Sequence, residues 1–162
     1  MCSSDLNYKV AKSEDREFEE ILNKYLEHPE VKKMSEYCAH GNVSVLKHSI
    51  AVARCAYDLN RKLKVNADLD TLLVGALLHD FYLYDWHDAS IRVPLFKMHG
   101  FTHPEKAREN AVRYFDVDDR VQEVIRCHMW PLTLRSVPKH KEALLVCMAD
   151  KMVALKETIH DR

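Results

Sequence analysis

The sequence predicts an all-α fold, a helical bundle built as one domain over residues 1–162. Three observations predict it. Apolar residues recur at offsets of three, four and seven in one segment after another, the spacing of a helix face. No segment keeps the alternation of a half-buried strand. Only 3 residues are glycine while 47% are hydrophobic, which favours a helical globule over a disordered or all-β chain. At 162 residues the chain is long enough for a single core.

The elements follow in order. Residues 1–12 are polar and are expected to be loosely held. Residues 14–26 read as a helix with Phe18, Ile21, Leu22 and Tyr25 on one stripe. His28–Pro29 breaks it, and a short helix follows to about Tyr37. His40–Gly41–Asn42 reads as a turn, and Ser44 as the N-cap of a helix running to about Leu63. Asn66 or Asp68 caps the next helix, which ends near Asp80. Residues 81–102 show no clean period. Thr102 or His103 then opens a helix with Pro104 at its first position, ending near Phe115. Asp118 starts a helix that stops before Pro131, and the last helix follows Pro138 and reaches about Ile159.

Charge and cysteine content narrow the function. Lys and Arg number 24 against 25 Asp and Glu, for a net charge of −1, so the basic excess of a duplex-binding protein is missing. The five cysteines are odd in number and lack paired short spacing, which predicts reduced thiols in a cytoplasm. No cationic start leads into an apolar leader and no apolar run approaches a membrane span, so a cytoplasmic location and no membrane partner are expected.

The chemistry lies in His48, the pair His79–Asp80, His103, His128 and Asp150, each about one helix and a turn from the next. His48 shares a face with Val45 and Val52; His79 with Leu72 and Ala76; His128 with Val121, Val124 and Ile125; Asp150 with Val146, Cys147, Val153 and Ala154. These four point inward, and His103 opens its helix, where a side chain can reach into a site. One inward histidine is more often a hydrogen-bonded core residue than a ligand. Asp150 alone could pair with an arginine, and Asp80 alone could simply end a helix. Against that, a purely structural account needs a separate accident in each major helix after residue 40. A lone carboxylate on an apolar face is costly unless it is paired or binds metal. Imidazole and carboxylate donors together suit manganese, iron, cobalt or zinc.

Other patterns carry less. Phe81, Tyr82, Tyr84 and Trp86 could line a pocket or pack under a loop, and His87 and His99 read as surface residues. Phosphate-cradling glycine motifs and a nucleophile elbow are absent. Cys127 and His128 are helical neighbours about 100° apart, which disfavours a dyad. The acidic cluster at 14–20 reads as a solvated face.

The segments SVLKHSIAVA, LLVGALLHD, GFTHPEKA, VIRCHMWP and LLVCMADKM, around His48, His79–Asp80, His103, His128 and Asp150, resemble the HD-domain superfamily of metal-dependent phosphohydrolases over about residues 40–155. The overall likeness is to small stand-alone bacterial members. The resemblance implies an HD-type helical bundle holding one or two divalent ions: manganese, iron, cobalt, nickel, magnesium or zinc. His48, His79, Asp80 and Asp150 would bind the first, and Asp80 would bridge to a second held by His103 and His128. The lysine that often follows the His-Asp pair is absent, its place falling in Phe81–Tyr82–Leu83–Tyr84, and so is the Gly-Tyr-Pro triplet of the members that cleave cyclic dinucleotides.

The implied activity is hydrolysis of a small phosphorylated substrate, a nucleotide or another phosphoester, with His79 and Asp80 catalytic. His40, Lys106 and Lys151 are candidates to touch the phosphate. Two alternatives share the ligand set or part of it: a di-iron oxygenase of the same fold, and a non-catalytic metal-binding module. No nucleic-acid duplex is expected as a partner.

Overall fold

Capping chemistry decides where the helices begin. The structure, a computed structural model, describes residues 16–85 and 99–160, with the backbone alone at 99–101 and 160. Helix α1 spans Arg16–Leu26 and buries Phe18, Ile21 and Leu22. The short α2, Pro29–Lys32, starts on His28, whose Nδ1 accepts from the Glu30 amide at 3.2 Å, and continues into a 3-10 turn, Lys33–Glu36. Ser44 caps α3, Val45–Lys62; Asp68 caps α4, Leu69–Leu78; Asp118 caps α6, Asp119–Cys127. In each case the side-chain oxygen accepts from the amide three residues on, satisfying a donor the helix leaves open. Helices α5, His99–Phe115, and α7, Lys141–His160, complete the set.

The all-α expectation holds: the seven helices account for most of the described residues, with one minor addition. Strands β1, Cys38–His40, and β2, Val43–Ser44, pair antiparallel about Gly41, whose φ of 52° suits a residue without a Cβ. This hairpin delivers Ser44 to the start of α3. Strands of three and two residues are too short to show alternation in the sequence.

Two further expectations are corrected. Helix α5 begins at His99, so neither Thr102 nor His103 opens it, and Pro104 lies inside it. An early interior proline removes one ladder bond without ending the helix, and it leaves the same local signal as a proline at the first position. Cys55, Cys127 and Cys147 are free thiols as expected, whereas Cys38 is disulfide-bonded.

Helix α4 is the centre of the bundle. Every residue from Thr71 to Leu78 is buried, and α1, α3, α5, α6 and α7 all pack against it. Gly75 allows α6 to come close: a Cβ there would lie 2.5 Å from Val124 Cγ1. The buried residues of α1 through α7 form one hydrophobic cluster. Phe81 and Tyr82 belong to it, so this part of the aromatic run is core packing; Trp86 lies outside the described residues, as does His87. Buried Glu142 is compensated by the Asp68 amide at 2.8 Å and Arg120 at 3.2 Å, which ties the start of α7 to α4 and α6. Among the described residues, no helix is long and apolar enough to cross a membrane.

Candidate metal centre

Three helices and the C-terminal ends of two more bring polar groups together beside the buried end of α4. His48 comes from the first turn of α3, His79 caps the C-terminus of α4 with Asp80 just beyond it, and His103 comes from the second turn of α5. His128 caps the C-terminus of α6, and Asp150 sits mid-way along α7. His48 and His79 are 0% exposed, His128 1%, His103 4% and Asp150 8%. All the sequence-selected histidines and aspartates therefore meet in one place away from water.

Helix ends fix two of the rings. His79 Nδ1–H donates to the Ala76 carbonyl and His128 Nδ1–H to the Ile125 carbonyl, both at 2.7 Å. Each satisfies a carbonyl that the end of its own helix leaves open. Each ring thereby turns its Nε2 toward the centre, the atom a metal would take once any proton on it is displaced. His48 is held from outside the cluster: its Nδ1 lies 2.8 Å from Glu157 Oε2, and its Nε2 lies 3.0 Å from Asp150 Oδ1.

Asp80 divides the site in two. Its Oδ2 lies 3.4 Å from His79 Nε2 and 4.0 Å from His48 Nε2, while its Oδ1 lies 3.2 Å from His103 Nε2 and 3.5 Å from His128 Nε2. Asp150 Oδ1 is 3.6 Å from His79 Nε2, which closes the first group. His103 and His128 meet Nε2 to Nε2 at 2.8 Å. Because His128 carries its proton on Nδ1, one proton on His103 joins the two nitrogens in the metal-free protein.

The electrostatics follow from these contacts. Burial works against charge on His48, but the Asp150 and Glu157 carboxylates bonded to it lift its pKa to about 10. Burial also opposes charge on His79, and Asp80 and Asp150 outweigh it, so its pKa is raised. Burial, reinforced by neighbouring His79 and His103, lowers His128 to about 3, leaving a neutral ring. Burial disfavours both carboxylates, yet His48 and His79 hold Asp150 far below the usual range, and His79 and His103 do the same for Asp80.

The donor set fits a divalent cation. His79 Nε2 and Asp80 Oδ1 are buried with no hydrogen-bond partner, although buried polar atoms are nearly always paired. Two ligands about 2.0–2.1 Å from one ion stand roughly 3.0–3.4 Å apart, close to most of the donor separations above. Donor atoms of His48, His79 and Asp80, of His79, His128 and Asp150, and of Asp80, His103 and His128 form groups that could hold a metal.

A family model described as HD domain matches residues 45–155. The chain belongs to the HD-domain family. No curated protein and no solved structure matches it. The HD domain is a fold of metal-dependent phosphohydrolases, and the matched span carries every inward histidine and aspartate of this cluster, including the His79–Asp80 pair.

The candidate phosphate-contacting residues of this HD domain are placed differently. His40, at the end of β1, packs edge-on to His48 with ring centroids 5.1 Å apart, and burial, then His48, lowers its pKa. Lys106 is exposed on α5 and paired with Glu109 at 3.3 Å. Lys151 Nζ is held by the carbonyls of His128 at 3.0 Å and Cys147 at 3.2 Å, cementing the end of α6 to α7. Neither lysine is brought among the converging groups. Sequence reasoning passed over Glu157. Its signal was available: it lies seven residues beyond Asp150, two turns along the same face of α7.

Proposed function

We propose that this HD domain is a metal-dependent phosphohydrolase that acts on a small phosphorylated substrate, a nucleotide or another phosphoester, using a metal-activated water. His48, His79, Asp80 and Asp150 would hold one divalent ion, and Asp80, His103 and His128 a second. A divalent cation bound there supplies Lewis acidity, which lowers the pKa of water and offsets the charge that builds on a phosphoryl group.

The chain's own residues do the rest. His79 and His128, anchored through Nδ1, keep Nε2 aimed at the centre without any reorganisation, and the lowered pKa of His128 leaves its Nε2 unprotonated. Asp80 keeps its carboxylate ionised inside the bundle, which suits it to hold a cation and to orient the attacking water, while its depressed pKa makes it a weak proton acceptor. The bundle walls exclude bulk water and strengthen each electrostatic contact. His40, packed edge-on against the His48 ring, is the group we assign to contact the substrate phosphate.

The observation that carries this proposal is the pair of buried, partnerless donors, His79 Nε2 and Asp80 Oδ1, facing the other ligand atoms. Metal analysis of freshly purified protein, joined to a phosphatase screen over nucleotides, sugar phosphates and phosphonates, tests it. We expect one or two equivalents of divalent metal and release of inorganic phosphate from at least one class. Protein that stays metal-free after reconstitution with manganese, iron, cobalt, nickel and zinc would sink the metal centre. Dioxygen uptake by the iron-loaded protein without phosphate release would replace the hydrolase by an oxygenase.

A further inference from the structure

The family match ends at residue 155, and Glu157, two residues beyond it, makes a direct contact with the cluster. Its Oε2 lies 2.8 Å from His48 Nδ1, on the side of the ring opposite Asp150. His48 is 0% exposed and comes from α3, so its ring is oriented by a residue 109 positions away on α7. His79 and His128 donate Nδ1–H to carbonyls of their own helices, but His48 lies in the first turn of α3, far from that helix's open carbonyls. A side chain must play that part for it.

We propose that Glu157 is a positioning residue for the metal centre: it accepts the Nδ1 proton of His48 and fixes the ring with Nε2 turned toward Asp80 and Asp150. This rests on His48 being a metal ligand, as put forward above. A carboxylate behind a metal-binding imidazole fixes the tautomer, prevents ring rotation and raises the basicity of the ligating nitrogen. The local packing suits that task. His40 closes one side of the His48 ring, and the ring of His79 lies 5.4 Å away on another. Glu157 itself borders a groove between α3 and α7, lined also by Val43, Ile50 and Val153. Its side chain keeps 13% exposure, so one edge of the carboxylate faces the groove, and truncation does not leave an apolar void in the core.

Titration with Co2+, followed by its visible absorption, tests the proposal on wild-type protein and on the Glu157→Ala, Glu157→Gln, His48→Ala and Thr158→Ala variants. Thr158 is the control: it neighbours Glu157 on α7, but its hydroxyl donates only to the Ala154 carbonyl. We expect Glu157→Ala to weaken binding of the ion that His48 holds by about 10–100-fold. Glu157→Gln, whose amide oxygen can still accept from Nδ1, should fall between it and wild type, and Thr158→Ala should bind as wild type does. Equal affinity in wild type and Glu157→Ala, alongside a loss in His48→Ala, overturns the role of Glu157 and leaves the metal centre standing. An equal loss in Thr158→Ala also overturns it, because the effect then belongs to the stability of α7. Absence of Co2+ binding by the wild type refutes the metal centre, and the proposal with it. If Glu157→Ala fails to fold, the ranking of Glu157→Gln against wild type decides the matter.

Discussion

The two oxygens of Asp80 face different pairs of imidazoles, Oδ2 toward His48 and His79, Oδ1 toward His103 and His128. Asp80→Ala should therefore cost both halves of the site. Elemental analysis should find less than one equivalent of metal, and phosphate release should fall to background; a variant retaining two equivalents would refute the shared role. His103→Ala or His128→Ala should instead halve the metal content of a two-ion centre and leave the ion near His48. A pH effect follows from His48. Its pKa is raised from 6.5 to about 10, so at pH 7 the metal-free ring is protonated, and a metal that uses Nε2 must displace that proton. Calorimetry in buffers of different ionisation enthalpy should record proton release on binding, and affinity should rise with pH between 7 and 9. Binding with no net proton release would contradict that ligand assignment. The corresponding folding contribution in metal-free protein is fully present below the unfolded value of 6.5 and is lost as pH rises through about 10. At this scale much of the site was legible. His48, His79, His128 and Asp150 each share a helical face with apolar residues, and burial follows from that periodicity. Glu157 obeys the same rule, but Lys156 and Thr158 beside it read as a solvent face. Where Lys106 and Lys151 point is decided by Glu109 and by the end of α6, which a one-dimensional pattern does not contain.

Helix α4 meets α6 at Gly75, where an added Cβ would stand 2.5 Å from Val124 Cγ1. Alanine is the better helix former by about 1 kcal/mol, yet two backbones would have to separate, and overpacking costs about 1–3 kcal/mol. Gly75→Ala should thus lower the midpoint of thermal unfolding, and Val124→Ala added to it should recover part of the loss. If the two changes simply add in a double-mutant cycle, this contact does not set the spacing of α4 and α6. The same element shows where sequence reasoning works. Ser44, Asp68 and Asp118 were identifiable as helix starts because a cap acts over three residues, all visible in the string. The start of α5 was not, because Pro104 at an interior position resembles Pro104 at the first. The β1–β2 hairpin escaped because its pairing is set by the Gly41 turn over very few residues.

Across the whole molecule, the ligand-bearing residues tie α3, α4, α5, α6 and α7 together, so a bound ion acts as a cross-link among them. At a free metal concentration 100 times the dissociation constant, the folded state gains about 2.7 kcal/mol, or roughly 5–10 °C for a chain of this size. Differential scanning fluorimetry should record that rise in wild-type protein and its reversal by chelator, and little change in Asp80→Ala; an equal rise in that variant would point to binding elsewhere. The helical architecture was legible because periodicity and caps are local properties. The convergence of five helices on one point was not readable from spacing alone, since it depends on how α4 is surrounded. That central placement bears on how an ion enters and leaves. His79 ends the most enclosed helix, whereas Asp150 and Glu157 ride on α7, which has its buried face on the bundle and exposed residues Leu144, Met148, Met152, Leu155 and Ile159 along the other. Transient opening should therefore begin at α7, with α4 the last to open. In hydrogen–deuterium exchange the amides of α4 should be the slowest in the chain, and metal should slow α7 far more than α4. The lifetime of a bound ion would then be set by the breathing rate of one peripheral helix, and not by the strength of the histidines that hold it.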